Sequence, residues 1–169
     1  IEKYYRTLKS FGAPVDFISE AKNLSDYPVV IAPTYQLADK ELVDKWITYV
    51  KNGGNLILTC RTAQKDRYGR LPEAPFGSFR KLRKGTITYV GVDSHNGALE
   101  KDILKKLYVQ LNIPVMDLPY GVTMEYRNGL GIVLNYSDQP YTFNLSKGAK
   151  ALIGTTEIPT AGVFVFSVK

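Results

Sequence analysis

The sequence predicts an α/β fold with a parallel sheet, followed by a small antiparallel β domain. Two short apolar runs, residues 29–31 and 55–60, flank a segment in which apolar side chains recur at helical spacing. A strand, a helix and a second strand joined by short connections form a right-handed crossover between parallel strands. After residue 113 the pattern changes to short alternating runs separated by turn residues, which is typical of antiparallel hairpins.

The chain opens with a predicted amphipathic helix over residues 1–11. Gly12 stands where a C-terminal stop is expected, and residues 15–18 predict a short strand with partial alternation. A parallel sheet normally has a strand before such a helix, so a first strand is missing from this sequence if the helix is a crossover. The apolar residues on the predicted helical face are Ile1, Tyr4, Tyr5, Leu8 and Phe11.

The central unit of strand, helix and strand is the clearest pattern in the chain. Residues 29–31 are β-branched with no polar alternation, which indicates a strand covered on both faces. Asp39 is placed to cap the helix that follows, and a Gly-Gly pair ends that helix. Any chemistry of such a sheet belongs at the carboxyl ends of its strands, here residues 33–38 and 61–69. The apolar stripe of the helix consists of Leu42, Val43, Trp46, Ile47 and Val50.

A polar segment over residues 61–77 is interrupted by glycine and proline, which indicates a long surface loop. Loops of this length in a compact domain are usually functional or disordered. Residues 86–92 then predict another strand of the same sheet, and residues 98–111 predict an amphipathic helix. A basic cluster before that strand is interpreted as a solvated loop, because no aromatic stacking platform adjoins it. The cluster comprises Arg80, Lys81, Arg83 and Lys84.

The last third of the chain predicts an antiparallel β module. The Asn128-Gly129 pair is its strongest local feature, because Asn-Gly is the preferred two-residue hairpin turn. The predicted strands cover residues 122–127, 131–136, 141–145, 150–153 and 163–168.

Composition excludes several classes of function. The net charge of +6 over 169 residues is modest and dispersed, and it gives no support for nucleic-acid binding. The single cysteine, Cys60, rules out an internal disulfide and a thiolate metal cage. No run approaches the roughly 18 apolar residues of a membrane span. No Gly-rich phosphate-binding motif is present, so no cofactor is predicted. The compartment stays open, with a slight preference for the cytoplasm.

A series of short motifs runs through the chain in a fixed order. They are Tyr4-Tyr5-x-x-Leu8, Val15-Asp-Phe17, Leu24-Ser-x-Tyr27, Val30-Ile-Ala-Pro33, Val50-x-x-Gly53-Gly54-x-Leu56, Leu58-Thr59-x-Arg61, Lys65-Asp66, Lys84-Gly85-x-Ile87-x-Tyr89-Val90-Gly91, Leu118-Pro119-x-Gly121-Val122 and Val133-Leu134-Asn135-Tyr136-Ser137-Asp138-x-Pro140. In order and spacing these motifs resemble the trimerisation domain and the small C-terminal β domain of family-42 glycoside hydrolases, the β-galactosidases. The resemblance covers most of the chain.

The resemblance implies a particular architecture. It implies a three-layer, glutamine-amidotransferase-like (flavodoxin/Rossmann-like) α/β domain over residues 1–113 that packs subunits into a trimer, and a small β-sandwich-like domain over residues 114–169. In that family both domains lie downstream of a catalytic (β/α)8 barrel. The two catalytic glutamates belong to the barrel, so the resemblance assigns no catalytic, cofactor-binding or metal-binding residue to this sequence.

The sequence departs from the family pattern in two places. The family carries a strand before the helix at residue 1, and it carries a longer, largely β segment between the loop ending near Gly77 and the basic run at Arg80. Both parts are missing here. The abrupt junction at residues 77–78 favours omission of residues from a longer protein over a shortened family member.

Two sets of candidate functional residues emerge. The charged loop after the second strand is interpreted equally well as a solvent-exposed loop and, by resemblance, as a contact with another subunit or support for the active-site mouth of a neighbouring barrel. The second candidate is Cys60 as a nucleophile with His95 and Glu100, although its neighbours are not the small residues that a nucleophile elbow needs. A small buried hydrophobe is the alternative for this cysteine. The candidate subunit-interface residues are Arg61, Lys65, Asp66, Arg67 and Arg70.

Three functions remain open from the sequence. The first is a non-catalytic C-terminal region of a β-galactosidase-like glycoside hydrolase, which assembles a homotrimer, contacts the catalytic barrel of its parent chain and meets a galactoside only through that parent. The second is a free-standing amidotransferase-like cysteine hydrolase, and the third is a carbohydrate-binding accessory module. No nucleic-acid or membrane partner is predicted. The linkage preference of the parent and the ability of the chain to fold alone stay open.

Overall fold

The computed structural model describes residues 1–71 and 84–167. The described residues form two compact units, one made of Ile1 and the stretch between Phe17 and Asp93, the other of Glu2–Asp16 and the residues from Ser94 onward. In chain order the elements are α1 (Glu2–Ser10), β1 (Val29–Ala32), α2 (Lys40–Lys51), β2 (Asn55–Thr59), β3 (Thr86–Val90), α3 (Ala98–Gln110), β4 (Val122–Arg127), β5 (Leu130–Asn135), β6 (Tyr141–Thr142), β7 (Lys150–Ile153), β8 (Glu157–Ile158) and β9 (Val163–Ser167).

The first unit is built on a parallel sheet in the order β1-β2-β3. The central strand β2 is buried along its whole length, as a run of apolar residues without alternation predicts. Leu56 and Leu58 of β2 share a core with the apolar stripe of α2, so the predicted crossover of strand, helix and strand is confirmed. The buried members of this core are Leu24, Ala32, Ala38, Leu42, Val43, Trp46, Ile47, Tyr49, Val50, Leu56, Leu58 and Ala63.

The end of α2 and the start of β3 approach each other closely. Gly54 N donates to Tyr49 O at 3.0 Å after Gly53 turns the chain with a φ of +110°, a value that suits glycine. Gly85 lies against this turn, and a Cβ at that position would be 2.1 Å from Gly54 O and 2.4 Å from Val50 O. Residue 85 must therefore be glycine because there is no room for a Cβ atom, and not because the backbone conformation favours glycine.

Two local predictions from the sequence are wrong. Residues 15–18 form no strand. Phe17 is 74% exposed, whereas Ile18 packs against the core of the first unit, so the partial alternation reflects packing of an irregular segment. Asp39 occupies the N-cap position of α2 but makes no capping hydrogen bond. Its carboxylate binds Arg67 instead, because a charged partner from the later loop outcompetes the backbone.

The second unit contains the antiparallel strands, with sheet orders β4-β5-β9-β7 and β6-β8. The Asn128-Gly129 hairpin is confirmed: both residues have positive φ, and Arg127 pairs with Leu130 on either side of them. The strand β8 was not expected from the sequence, and β6 is shorter than the predicted run over residues 141–145. The buried core residues of this unit are Leu118, Val122, Met124, Val133, Phe143, Ile158, Phe164 and Phe166.

A buried amide fixes the end of β5. The side chain of Asn135 is 1% exposed, and its Nδ2 donates to Gln139 O, Ile158 O and Pro159 O at 2.8, 3.1 and 3.2 Å. Its Oδ1 accepts from the backbone N and the hydroxyl of Ser137 at 3.0 and 2.6 Å. Asn135 therefore joins two segments of the chain, residues 137–139 and 158–159, through one side chain.

Two helices belong to this second unit. Helix α1 packs against α3 and β4, and the rings of Phe11 and Tyr108 lie 6.0 Å apart. Lys9 of α1 is buried and forms an ion pair with Glu125 of β4. Among the described residues, no helix is both long and apolar enough to cross a membrane.

The prediction of a parallel α/β sheet with a following antiparallel module is confirmed at that level. The predicted division into domains at residues 1–113 and 114–169 stays a prediction. Arg80, Lys81, Arg83, Val168 and the junction at residues 77–78 lie outside the described residues.

Candidate functional site

Two loop segments meet at the carboxyl ends of β1 and β2, and together residues 33–39 and 60–71 form what we name the carboxyl edge. Three backbone hydrogen bonds join them: Ala63 N to Tyr35 O at 2.8 Å, Lys65 N to Gln36 O at 3.1 Å, and Ala38 N to Lys65 O at 2.9 Å. The two segments lie together because the carboxyl ends of parallel strands share one edge of a sheet.

Three residues of the carboxyl edge have a left-handed backbone although none is glycine. Thr34, Arg61 and Ala63 have φ values of +51°, +65° and +53°. Such values are uncommon for residues with a Cβ and are exceptional for a β-branched residue such as threonine. Strain of this kind persists only where the surrounding structure enforces it, and it concentrates at functional sites.

A set of threonine hydrogen bonds enforces that conformation. Thr34 N donates to Thr59 Oγ1 at 2.6 Å, Thr59 N donates to Thr62 Oγ1 at 3.3 Å, and Thr62 Oγ1 donates to Ala32 O at 2.9 Å. Thr59 and Thr62 are both buried. The ends of β1 and β2 are thereby tied to each other independently of the charged side chains outside them.

Asp66 organises the charged loop. Its Oδ1 accepts hydrogen bonds from Tyr68 N and Arg70 N, each at 2.9 Å, and its Oδ2 accepts one from Arg70 Nε at 2.9 Å. The backbone hydrogen bond from Arg70, together with the guanidinium of that residue, holds the pKa of the Asp66 carboxyl below its usual range. The Arg70 guanidinium also lies 4.9 Å from the centre of the Tyr68 ring, within cation–π range.

Arg67 connects the loop to the start of α2. Its backbone N donates to Asp39 Oδ1 at 3.0 Å, and its guanidinium donates to Asp39 Oδ2. The side-chain hydrogen bonds from Arg67 lower the pKa of the Asp39 carboxyl. Both carboxylates of the carboxyl edge are therefore neutralised by arginines of the same loop.

The remaining charged side chains and several large apolar side chains of the carboxyl edge point to solvent. In the described part of the chain, the side chains of Arg61 and Lys65 make no hydrogen bond and no ion pair. Tyr68 and Leu71 are 75% and 80% exposed, and Leu37 is about half exposed. The carboxyl edge thus presents unpaired cations beside exposed apolar groups.

An open groove of about 610 Å³ crosses the carboxyl edge. Tyr35 lines the groove, and its hydroxyl donates to the Glu20 carboxylate, which raises the pKa of Tyr35 to about 12. The ion pair of Asp39 and Arg67 also lines the groove. These four side chains already bind one another in two pairs, so they are not free to bind a ligand.

The two oxygens of Asp66 have separable roles that a pair of substitutions can test. Replacing Asp66 by alanine should speed amide exchange at Tyr68 and Arg70 by about tenfold or more, because both N–H groups bind Oδ1. Replacing it by asparagine should keep both amides protected and release only Arg70 Nε, since an amide retains one acceptor oxygen. Hydrogen exchange measured residue by residue by NMR checks both, and equal exchange in the two variants would contradict the assignment.

The same carboxylate gives the loop a defined pH dependence. The pKa of Asp66 is lower in the folded chain than in the unfolded chain. The ionised Asp66 carboxylate therefore stabilises the loop above the unfolded pKa of about 3.9, and this stabilisation is lost as the pH falls through the lower pKa of the folded chain. The alanine variant should show no such acid transition in the exchange of the Arg70 amide.

The residues of the hypothetical cysteine triad lie in different surroundings. Cys60 is half-buried in the first unit, and its backbone N donates to Val90 O at 2.9 Å. His95 is exposed in the second unit. Glu100, 1% exposed, accepts hydrogen bonds from the backbone N and hydroxyl of Ser94. Among the described residues, no group of three or more His, Cys, Asp or Glu side chains could hold a metal ion.

The sequence pointed to the charged loop but missed its partners. Tyr35 and Glu20 were not singled out, and neither was the left-handed conformation of Thr34. Threonine gives no sequence indication of positive φ, because glycine or asparagine is the usual marker. The roles assigned to the five interface residues and to Cys60 stay predictions.

Comparison with known families matches most of the chain in two parts. Residues 1–82 match the model of the β-galactosidase trimerisation domain, and residues 121–167 match that of the β-galactosidase C-terminal domain. β-Galactosidase BgaH of Haloferax lucentense is 40% identical over 74 residues, which cover 44% of this chain and 11% of that protein. β-Galactosidase Bga of Halorubrum lacusprofundi is 31% identical over 87 residues, covering 51% of this chain and 12% of that protein.

Solved structures share the fold over nearly the whole chain. The β-galactosidase from the psychrophilic Marinomonas ef1 superposes with a TM-score of 0.86 at 19% identity, over 99% of this chain and 33% of that one. An exo-carrageenase of family 42 from Bacteroides ovatus gives 0.62 at 15% identity, over 99% and 26%. The chain thus spans about a third or less of these structures. It belongs to the family-42 glycoside hydrolases, as a β-galactosidase trimerisation domain followed by a C-terminal domain of that family.

Proposed function

We propose that this chain assembles the subunits of a β-galactosidase into a homotrimer, and that the carboxyl edge is a contact surface between subunits. The observation that carries the proposal is the exposure of Tyr68 and Leu71 beside arginines at that edge. Aromatic residues and arginine are enriched in protein interfaces and dominate their binding energy. The match of residues 1–82 to a trimerisation domain, which includes the whole carboxyl edge, supports the same assignment.

The catalytic groups of such an enzyme would lie outside this chain. A retaining glycosidase needs two carboxyl groups about 5 Å apart beside a sugar pocket. The two carboxylates of the carboxyl edge, Asp39 and Asp66, are each bound to an arginine. We therefore propose that a galactoside is bound and cleaved by the (β/α)8 barrel of the parent chain, and that nucleic acids and membranes are not partners.

The finer architecture is also part of the proposal. A three-layer glutamine-amidotransferase-like arrangement is supported by the parallel sheet β1-β2-β3 and by the sharp turn after β2. The alternative of an active cysteine hydrolase has less support, because the left-handed residue of that turn is Arg61 and not Cys60. A nucleophile elbow places the nucleophile itself on the strained turn.

Light scattering on the full-length protein tests the assembly. We expect the mass of three protomers for the wild type, and a shift toward the monomer for Leu71→Asp, because a charge buried at an interface without a partner is costly. Val109→Asp is the matched control, since Val109 is 64% exposed on α3 and lies outside the carboxyl edge. A monomeric or dimeric wild type would refute the trimer. Equal behaviour of the two variants would refute the carboxyl edge as the contact surface.

A further inference from the structure

Arg61 occupies a turn position that ordinarily belongs to glycine. Thr62 N donates to Thr59 O at 3.1 Å, which closes a four-residue turn with Arg61 as its third member at a φ of +65°. Turns with positive φ at this position favour glycine, because a Cβ is strained there. An arginine at such a position lowers the stability of the fold. Its presence therefore indicates that the arginine side chain serves a function.

The neighbours of Arg61 hold the turn in place. Thr59, Thr62 and Ala63 are all buried, and the hydroxyl of Thr62 is bonded to the end of β1. The turn cannot relax without breaking these contacts. Arg61 is therefore presented at the carboxyl edge in one fixed backbone conformation, which lowers the entropic cost of binding through its side chain.

Charge distinguishes Arg61 from the other arginines of the loop. Arg67 is neutralised by Asp39, and Arg70 by Asp66. Within residues 1–71 and 84–167, the guanidinium of Arg61 makes no hydrogen bond and no ion pair. A guanidinium presents paired N–H donors whose geometry matches a carboxylate, so an unpaired arginine in this loop fits an anionic partner.

We propose that Arg61 binds a carboxylate on a second copy of the parent chain and is an anchor of the subunit contact. The inference rests on the proposed assembly function. Both carboxylates of the carboxyl edge already bind arginines, so the carboxylate lies on another surface of the neighbouring copy, as in the head-to-tail contacts of a closed trimer. Tyr68 and Leu71 are exposed in the same loop, and burying them at the contact would exclude water from the pair.

The trimer association constant of the full-length protein tests the proposal. Arg61→Gln should weaken association by at least about 30-fold, the loss seen when one partner of a buried charge pair is removed. Arg127→Gln is the matched control, because it removes one exposed guanidinium from β4, outside the carboxyl edge, by the same substitution. It should change association by less than about threefold.

Salt dependence separates a charge contact from a merely structural role. Wild-type association should weaken as salt rises, and Arg61→Gln should flatten that dependence because the screened interaction is gone. Arg61→Gly gives a second variant that suits the left-handed backbone, so it keeps the fold and must still lose association. Association of Arg61→Gly at the wild-type level, or an unchanged salt dependence in Arg61→Gln, would overturn the role of Arg61 while leaving the trimer intact. A monomeric wild type would instead remove the assembly function on which the inference rests.

Discussion

Replacing Gly85 by alanine is expected to destabilise the first unit by about 3 kcal/mol, the upper end of the usual cost of overpacking. The added Cβ would lie 2.1 Å from Gly54 O and 2.4 Å from Val50 O. Both atoms are backbone, so neither can rotate away as a side chain would. Relief requires β3 to move off the end of α2, which disturbs the pairing of β3 with β2.

Trp46 is a natural reporter for this prediction. It is the only tryptophan of the sequence and is 4% exposed in the core of the first unit. Urea unfolding followed by its fluorescence should show a midpoint lower by roughly 1.5 M, for an m-value near 2 kcal/mol/M.

Gly91→Ala is the matched control for Gly85→Ala. Gly91 follows the same strand, and the nearest atoms to an added Cβ, at 3.1 Å, belong to the exposed side chain of Tyr89. That side chain can move, so the change should stay within about 0.5 kcal/mol. Similar midpoints for the two variants would show that the contact between Gly85 and the turn after α2 does not limit stability.

Replacing Asn135 by aspartate should destabilise the second unit by about 3 kcal/mol or more at neutral pH. The substitution preserves shape but turns the donor that serves Gln139 O, Ile158 O and Pro159 O into an acceptor. A buried carboxylate would then face three carbonyl oxygens. Hydrogen exchange of β5 and β9, measured by mass spectrometry, should show loss of protection in both strands.

The defect of Asn135→Asp should be pH-dependent, with a definite sign. Carbonyl neighbours and burial favour the protonated acid, so the pKa of the introduced carboxyl rises on folding. The stability it contributes is therefore fully present below the unfolded pKa and is lost as the pH rises through the folded value. Protection should recover partly near pH 4. A control, Ser137→Ala, removes only the hydroxyl partner on the other oxygen and should show no such recovery.

Patterns confined to one element were predictable from the sequence. The buried strand β2, the apolar stripe of α2 and the Asn128-Gly129 hairpin depend on neighbours within a few residues, so their residue types alone determine them. The wrong predictions involve contacts with residues that are far away in the sequence. Asp39 has the right residue type and position to cap α2, but Arg67, far along the chain, takes its carboxylate. Residues 15–18 alternate like a strand but form none.

Charge density in the sequence identified only part of what matters at the carboxyl edge. It marked the loop of Arg61 to Arg70 as a candidate contact surface, yet it could not separate the arginines that build the loop from the one that remains unpaired. That distinction depends on the conformation of the turn after β2 and on the position of Asp39, which are properties of the folded chain. The two-residue strand β8 was also missed. Only Ile158 of its two residues is buried, and one apolar residue gives no strand pattern.

Helix α1 ends at Ser10, yet it packs against β4, which begins only at Val122. During synthesis on the ribosome α1 emerges long before β4. Until β4 is made, the side chains of α1 that pack against it, including Lys9, stay exposed. Cleavage of the chain between α3 and β4 would separate α1 from the strand that it packs against.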